Sequence, residues 1–186
     1  MAALHTSTND AAERFTDLFH THWSAVHAYA IRRCPTAGDA HDVAAETFTI
    51  AWRRFADIPP GHELPWLYRT AANVLSNSAR STRRRFRLDA RLSAQPQRTP
   101  ADLDDVIVED HALHEAFGRL SDEQQELLAL VAWEGLDHDA VAEVLGISVG
   151  AVASRLSRAR ARFEELLATA DGRAGHAEGD GERRTT

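Results

Sequence analysis

Apolar residues recur at helical spacing along most of the chain, and the strict alternation that marks a half-buried strand is weak throughout. Phe15, Leu18, Phe19, Val26, Tyr29 and Ala30 fall at intervals of three and four, which predicts a helix with one inward face. Asp39 to Phe55 predicts a second, with Val43, Thr47, Phe48, Ala51, Trp52 and Phe55 inward and Asp42, Glu46, Thr49 and Arg53 outward. Pro59-Pro60-Gly61 stops it. A third helix begins near Pro65, because a proline in the first turn gives up an N–H that has no partner there. The periodicity lapses after about Arg85 and returns over 113–133, where Leu113, Phe117, Leu120, Leu127, Leu128 and Val131 are inward. Ser121, followed by Glu123 and Gln124, reads as an N-cap and divides this span into two helices. Two more short helices reach about Leu167. The expected architecture is all-α: two small helical domains, 15–88 and 113–167, joined by a flexible linker, 89–112, that holds Pro96 and Pro100. Residues 1–14 read as an N-terminal extension, and the Gly-rich, polar residues 168–186 as a disordered tail.

Charge changes this picture more than composition does. The 186 residues carry a formal net charge of -7, and every basic side chain is Arg. The average hides segregation. Residues 80–98 hold Arg80, Arg83, Arg84, Arg85, Arg87, Arg91 and Arg98 against Asp89 alone, a net charge of +6. Residues 102–110 hold Asp102, Asp104, Asp105, Glu109 and Asp110 with no base. Arg155, Arg158, Arg160 and Arg162 form a second basic cluster. A polyanion meets these patches rather than the average. The single cysteine, Cys34, excludes an intrachain disulfide. With no secretory leader pattern in MAALHTSTNDAAERF and no apolar run of membrane-spanning length, a cytoplasmic protein with no membrane contact is expected.

The sharpest local signal is LDHDAVAEVLGISVGAVASRLSRARARFEEL, residues 136–166. Val141, Ala142 and Leu145 face inward on a short helix, Gly146 suits a turn that needs positive φ, Ile147 plugs it, and Ser148 caps the next helix. Val152, Leu156, Ala159 and Phe163 form that helix's buried stripe, while Ala151, Ser154, Arg155 and Arg158 lie on the opposite face. This is a helix-turn-helix whose polar face fits a major groove.

The motif EGLDHDAVAEVLGISVGAVASRLSRARARFEEL resembles region 4 of bacterial sigma-70 family factors, and most closely their extracytoplasmic-function (ECF) class. The segments FTDLFHTHWSAVHAYAIRR, AGDAHDVAAETFTIAWRRF and PWLYRTAANVLSNSARSTRRR resemble region 2 of the same class, in order. The resemblance implies a factor that binds core RNA polymerase, through the β′ clamp helices and the β subunit, and directs it to promoter DNA. It implies that Asp42, Glu46 and Phe48 match the polymerase-binding pattern D-x-x-Q-E-x-F, with Ala45 where Gln is usual. It assigns Ser148, Ala151, Ser154, Arg155 and Arg158 to the −35 element, with Ala151 and Ala153 replacing a usual Thr and Lys. Many members of the class are also held by an anti-sigma factor.

Residues 66–85 combine aromatics, amides and arginines, the composition that stacks on unpaired bases, hydrogen-bonds to them and holds their phosphates. Arg69, Asn73, Asn77 and Arg80 share one helix face with Tyr68 adjacent, and Arg83, Arg84 and Arg85 follow. The resemblance implies that this segment, Trp66 included, recognises the −10 element and captures an extruded base. Trp66 and Leu67 suit a core position equally well. By itself the acidic run 102–110 is a solvated linker; in the family the linker follows the path of nascent RNA. No P-loop, GxGxxG or HExxH pattern points to an enzyme, and no cofactor is implied. His20, His22 and His27 lie near one another with Cys34 close by, but nothing completes a tetrahedral set, so no metal site is expected. The rival reading is a stand-alone helix-turn-helix regulator that never joins polymerase.

Overall fold

The computed structural model describes residues 2–89 and 111–179, with side chains over 10–77 and 112–169. The described elements are α1 (Ala2–Ile31), α2 (Ala37–Arg53), a one-turn 3₁₀ helix (Phe55–Asp57), α3 (Glu63–Asp89), α4 (His111–Gly118), α5 (Asp122–Ala132), α6 (His138–Leu145) and α7 (Val149–Gly179). They form two compact units, divided between Asp102 and Leu103.

In the first unit α1, α2 and α3 each pack against the other two. Ala30, Ala40, Ala44, Ala51 and Ala71 are completely buried, so the helices approach closely and larger side chains fill what remains. Cys34, Val43 and Val74 join Ala30 and Ala40 in one cluster, with Ile50 and Leu75 against it. Thr36 caps α2: its hydroxyl oxygen accepts from the Asp39 N–H at 3.1 Å and its O–H donates to the Asp39 carboxylate at 2.7 Å. Inside α2, Thr47 is fully buried, and its hydroxyl is satisfied by donating to the Val43 carbonyl at 2.7 Å.

In the second unit α4, α5 and α6 all pack on α7. The α7 stripe of Val152, Leu156, Ala159 and Leu166 is at most 2% exposed, as are Leu127, Leu130 and Val141 on the helices packed against it, and Leu166 joins Ala116 and Leu120 in one cluster. The starts of α5, α6 and α7 are specified locally. Ser121 and Gln124 make a reciprocal capping box at α5, with the Gln124 N–H 3.3 Å from Ser121 Oγ and the Ser121 N–H 3.0 Å from Gln124 Oε1. Asp137 caps α6 by accepting from the Ala140 N–H at 2.8 Å. Gly146 takes φ 66°, and the chain bends by 98° between α6 and α7.

Some expectations are corrected. α1 begins at Ala2, so residues 2–14 extend the first helix instead of leading into it; Ala2, Ala3, Ala11 and Ala12 favour this. α3 continues to Asp89, past the lapse expected at Arg85. α7 continues to Gly179 instead of giving way to a disordered tail at residue 168, because Leu166 and Leu167 pack into the α4–α7 cluster and carry the helix past that point. Trp52 is 49% exposed, not inward; it covers the ring of Phe15 edge-on at 4.9 Å. Most of the expected linker, residues 90–110 with the acidic run, and the end of the tail, 180–186, lie outside the described residues.

Two measurements check this packing. Arg155 and Leu156 are sequence neighbours on α7, one exposed and the other buried. Leu156→Ala is expected to lower stability by about 2–5 kcal/mol, and Arg155→Ala by less than about 0.5 kcal/mol, in denaturant unfolding followed by circular dichroism. Cys34 is 5% exposed, and burial, with a smaller push from Asp39 against the pull of Arg33, raises its thiol to about 11. It is therefore expected to stay unalkylated by iodoacetamide at neutral pH in the folded chain and to react once guanidinium unfolds it, as read by mass spectrometry.

Candidate nucleic-acid interface

The rotation of α3 is set by what it buries. Leu67, Tyr68, Ala71 and Val74 are at most 5% exposed, and Tyr68 lies against Tyr29 of α1 with ring centres 4.9 Å apart. The guanidinium of Arg33 in turn covers Tyr29 at 3.6 Å from its ring centre. This turns Arg69, Asn73 and Asn77 to solvent on one face. Tyr68 therefore belongs to the core, and its expected place on the DNA-facing surface is corrected: a side chain 2% exposed has no face to offer a base.

Trp66 is half-buried at the head of the same helix, with its carbonyl accepting from the Thr70 hydroxyl at 2.9 Å. Arg54 arches over it with its guanidinium 5.9 Å from the ring centre, and the Arg54 Nε lies 2.9 Å from an Asp57 carboxylate oxygen. The segment between α2 and α3 is thus held to the head of the interface by a residue that periodicity did not single out. Its only sequence signal is the i, i+3 spacing of Arg54 and Asp57. Arg80, Arg83, Arg84 and Arg85 lie on the C-terminal half of α3, but their side chains are outside the described ones.

On α7 the buried stripe and the polar face stand back to back. Ser154, Arg155 and Arg158 are exposed, whereas Ala151 is half-buried. The Ser148 hydroxyl oxygen is engaged as the cap, accepting from the Ala151 N–H at 3.2 Å. Ser154 donates to the Ala151 carbonyl at 3.2 Å and Arg158 Nε to the Ser154 carbonyl at 3.3 Å, so both lie along their own helix.

On α2, Asp42 and Glu46 are exposed one turn apart, as expected. Phe48 is 4% exposed, between Phe19 and Trp23 at 5.0 and 5.6 Å from their ring centres. This agrees with its inward spacing on α2, and a side chain 4% exposed offers little surface for the polymerase contact that the resemblance implied. Among the described residues no group of three or more His, Cys, Asp or Glu is arranged to hold a metal ion. No single described helix is long and apolar enough to cross a membrane.

Comparison with known proteins matches these units one by one. The family described as Sigma-70 region 2 matches residues 18–85, and Sigma-70, region 4 matches residues 110–163. A probable RNA polymerase sigma factor, RfaY of Xanthomonas campestris, is 37% identical over 147 residues, which cover 75% of this chain and 36% of that protein. The ECF RNA polymerase sigma factor EcfG of Rhodopseudomonas palustris is 30% identical over 77% of this chain and 79% of its own length. The sigma factor RpoE of Bartonella quintana, solved with the anti-sigma factor NepR, superimposes with a TM-score of 0.65 at 25% identity over 83% of this chain and 97% of that one. With both regions present in order and in the expected helical units, the chain belongs to the ECF subfamily of sigma-70 RNA polymerase sigma factors, the initiation factors that bind core polymerase and bring it to promoters.

Proposed function

We propose that the exposed α3 face of Arg69, Asn73 and Asn77, continued by Arg80, Arg83, Arg84 and Arg85, binds the unpaired non-template strand at the −10 element, with Trp66 and Arg54 at its head. The single observation that carries this is the division of α3. Leu67, Tyr68, Ala71 and Val74 anchor it while Asn73 and Asn77 are exposed on another face. Amides hydrogen-bond to base edges, and arginines hold the phosphates. Those contacts exist only after strand separation, so binding itself favours the open state and no nucleotide hydrolysis is needed. Ser154, Arg155 and Arg158 read the −35 element from the major groove, with the Ala151 methyl alongside and Ser148 holding the helix start. Asp42 and Glu46 dock on the β′ clamp helices.

The chain works by binding, without a catalytic step of its own, and acts in the cytoplasm where polymerase and promoters are. Its likeness to a sigma factor solved with NepR supports an anti-sigma partner as well. A stand-alone regulator would bind promoter duplex tightly by itself; the net charge of -7 opposes that everywhere but at the basic patches.

Two experiments test this reading. In the first, Asn73 and Asn77 are both replaced by Ala. Each base contact of this kind is worth ~1–3 kcal/mol, so the open–closed equilibrium is expected to fall by roughly one to four orders of magnitude. The closed complex survives, and a pre-melted bubble restores transcription. Permanganate footprinting reads the bubble; an unchanged footprint with normal transcript yield overturns the assignment. In the second, Arg155→Ala is expected to lose ~1–3 kcal/mol of discrimination at one −35 position, measured by transcription from a set of single-base promoter variants. Uniform loss across the set would make Arg155 a phosphate contact instead.

A further inference from the structure

The seam between α1 and α2 carries a row of aromatic rings, and at one end it brings two imidazoles together. His27 of α1 and His41 of α2 lie with ring centres 6.0 Å apart and planes at 78°. Trp23 forms a common wall: it stacks parallel to His27 at 5.9 Å and 7°, and meets His41 edge-on at 5.5 Å and 71°. Phe48 and Phe19 close the seam below Trp23. His27 is half-buried and His41 exposed, so the pair has a packed side and an open side.

We propose that His27 and His41 together form a binding site for one divalent ion of the copper, nickel or zinc class, with water in the remaining positions. Neutral imidazole is the ligand these ions share, whereas magnesium and calcium select oxygen. Metal–nitrogen bonds are about 2.0–2.1 Å long, which sets two rings on one ion roughly 5 Å apart for a tetrahedral angle and about 6 Å for a wide one. The observed separation of 6.0 Å falls at the wide limit, a spacing that one ion between the rings can bridge. The two helices are fixed before any ion arrives, because the short connection from Arg32 to Thr36 is capped and Cys34 and Ala40 beside it are core residues. The Trp23 wall fixes the His27 ring in the same way, so little ordering remains to be done on binding. A site with two protein ligands and an exposed side also leaves a coordination position open for a group from another molecule.

Trp23 supplies the test, because copper(II) and nickel(II) quench an indole only at short range. The full-length chain without a histidine tag is titrated with copper(II), nickel(II) and zinc(II) while tryptophan emission and calorimetric heat are followed. Copper and nickel are expected to give saturable quenching at one ion per chain. Zinc alone is expected to give binding heat without quenching and to be displaced by copper, which imidazole sites hold more tightly, and magnesium is expected to have no effect. His41→Gln, at an exposed position that leaves the fold intact, should shift the midpoint by at least about tenfold. His27→Gln should do the same, while His20→Gln and His138→Gln should leave it in place. In Trp23→Phe the quenching should vanish while the heat of binding persists. An unchanged midpoint in His41→Gln, quenching that never saturates, or quenching that survives in Trp23→Phe would each overturn the site.

Discussion

A helix presents a functional face only as far as something fixes its rotation about its own axis. In this chain burial does so. On α3 the anchors are Leu67, Tyr68, Ala71 and Val74; on α7 they are Val152, Leu156, Ala159 and Leu166. Fully burying a side chain of Val or Leu size is worth about 1.5–3 kcal/mol, so a stripe of several holds its helix far more firmly than any surface pair. The described ion pairs, Arg54–Asp57, Arg119–Glu115 and Arg162–Glu165, join side chains that are each at least 40% exposed. Pairs of that kind are worth about 0–1 kcal/mol. The buried stripes, more than the surface pairs, therefore hold these helices in place.

The same division explains how an acidic chain serves a polyanion. Exposed charges separated by more than about 10 Å are largely screened at moderate salt, so a strand near α3 or α7 meets the local arginines and not the total of -7. The acidic excess still disfavours adsorption to DNA at large. On the proposed reading, the acidic pair on α2 and the basic residues on α3 and α7 give each partner its own complementary surface.

Helix number, the two-unit division, the turn at Gly146 and the caps at Ser121 and Ser148 were all legible, because each depends on residues within a turn or two of one another. The failures share one cause. Tyr68 is an aromatic beside a polar face, and only the position of Tyr29 on another helix makes it core; Trp52 has the inward spacing, yet the helix it would face leaves it 49% exposed. The fully buried alanines carry little periodic signal, yet they set how closely the helices approach. His27 and His41 are 14 positions apart on different helices, and their pairing depends on which faces of α1 and α2 meet. Residues 2–14 and the stretch after Leu167 are polar and Ala- or Gly-rich, a composition that fits an extended helix or a tail until packing decides.

The departures from the family pattern on α7 bear on how the two units share the work. Ala153 is exposed and Ala151 half-buried, so two positions that usually offer a cation and a hydroxyl offer methyl groups. On the proposed reading, base contacts by this helix fall mainly to Ser154, Arg155 and Arg158, and fewer direct contacts mean weaker binding by the second unit alone. Both units are on one chain and both are used on one polymerase, so the second engagement is intramolecular once the first is made. Linkage of this kind raises overall affinity by orders of magnitude without adding a contact. A recognition helix with a reduced contact set can still select promoters under that arrangement, because it has only to discriminate among sites already presented to it. Affinity then comes from the joined assembly, and selectivity from the few side chains that burial turns outward.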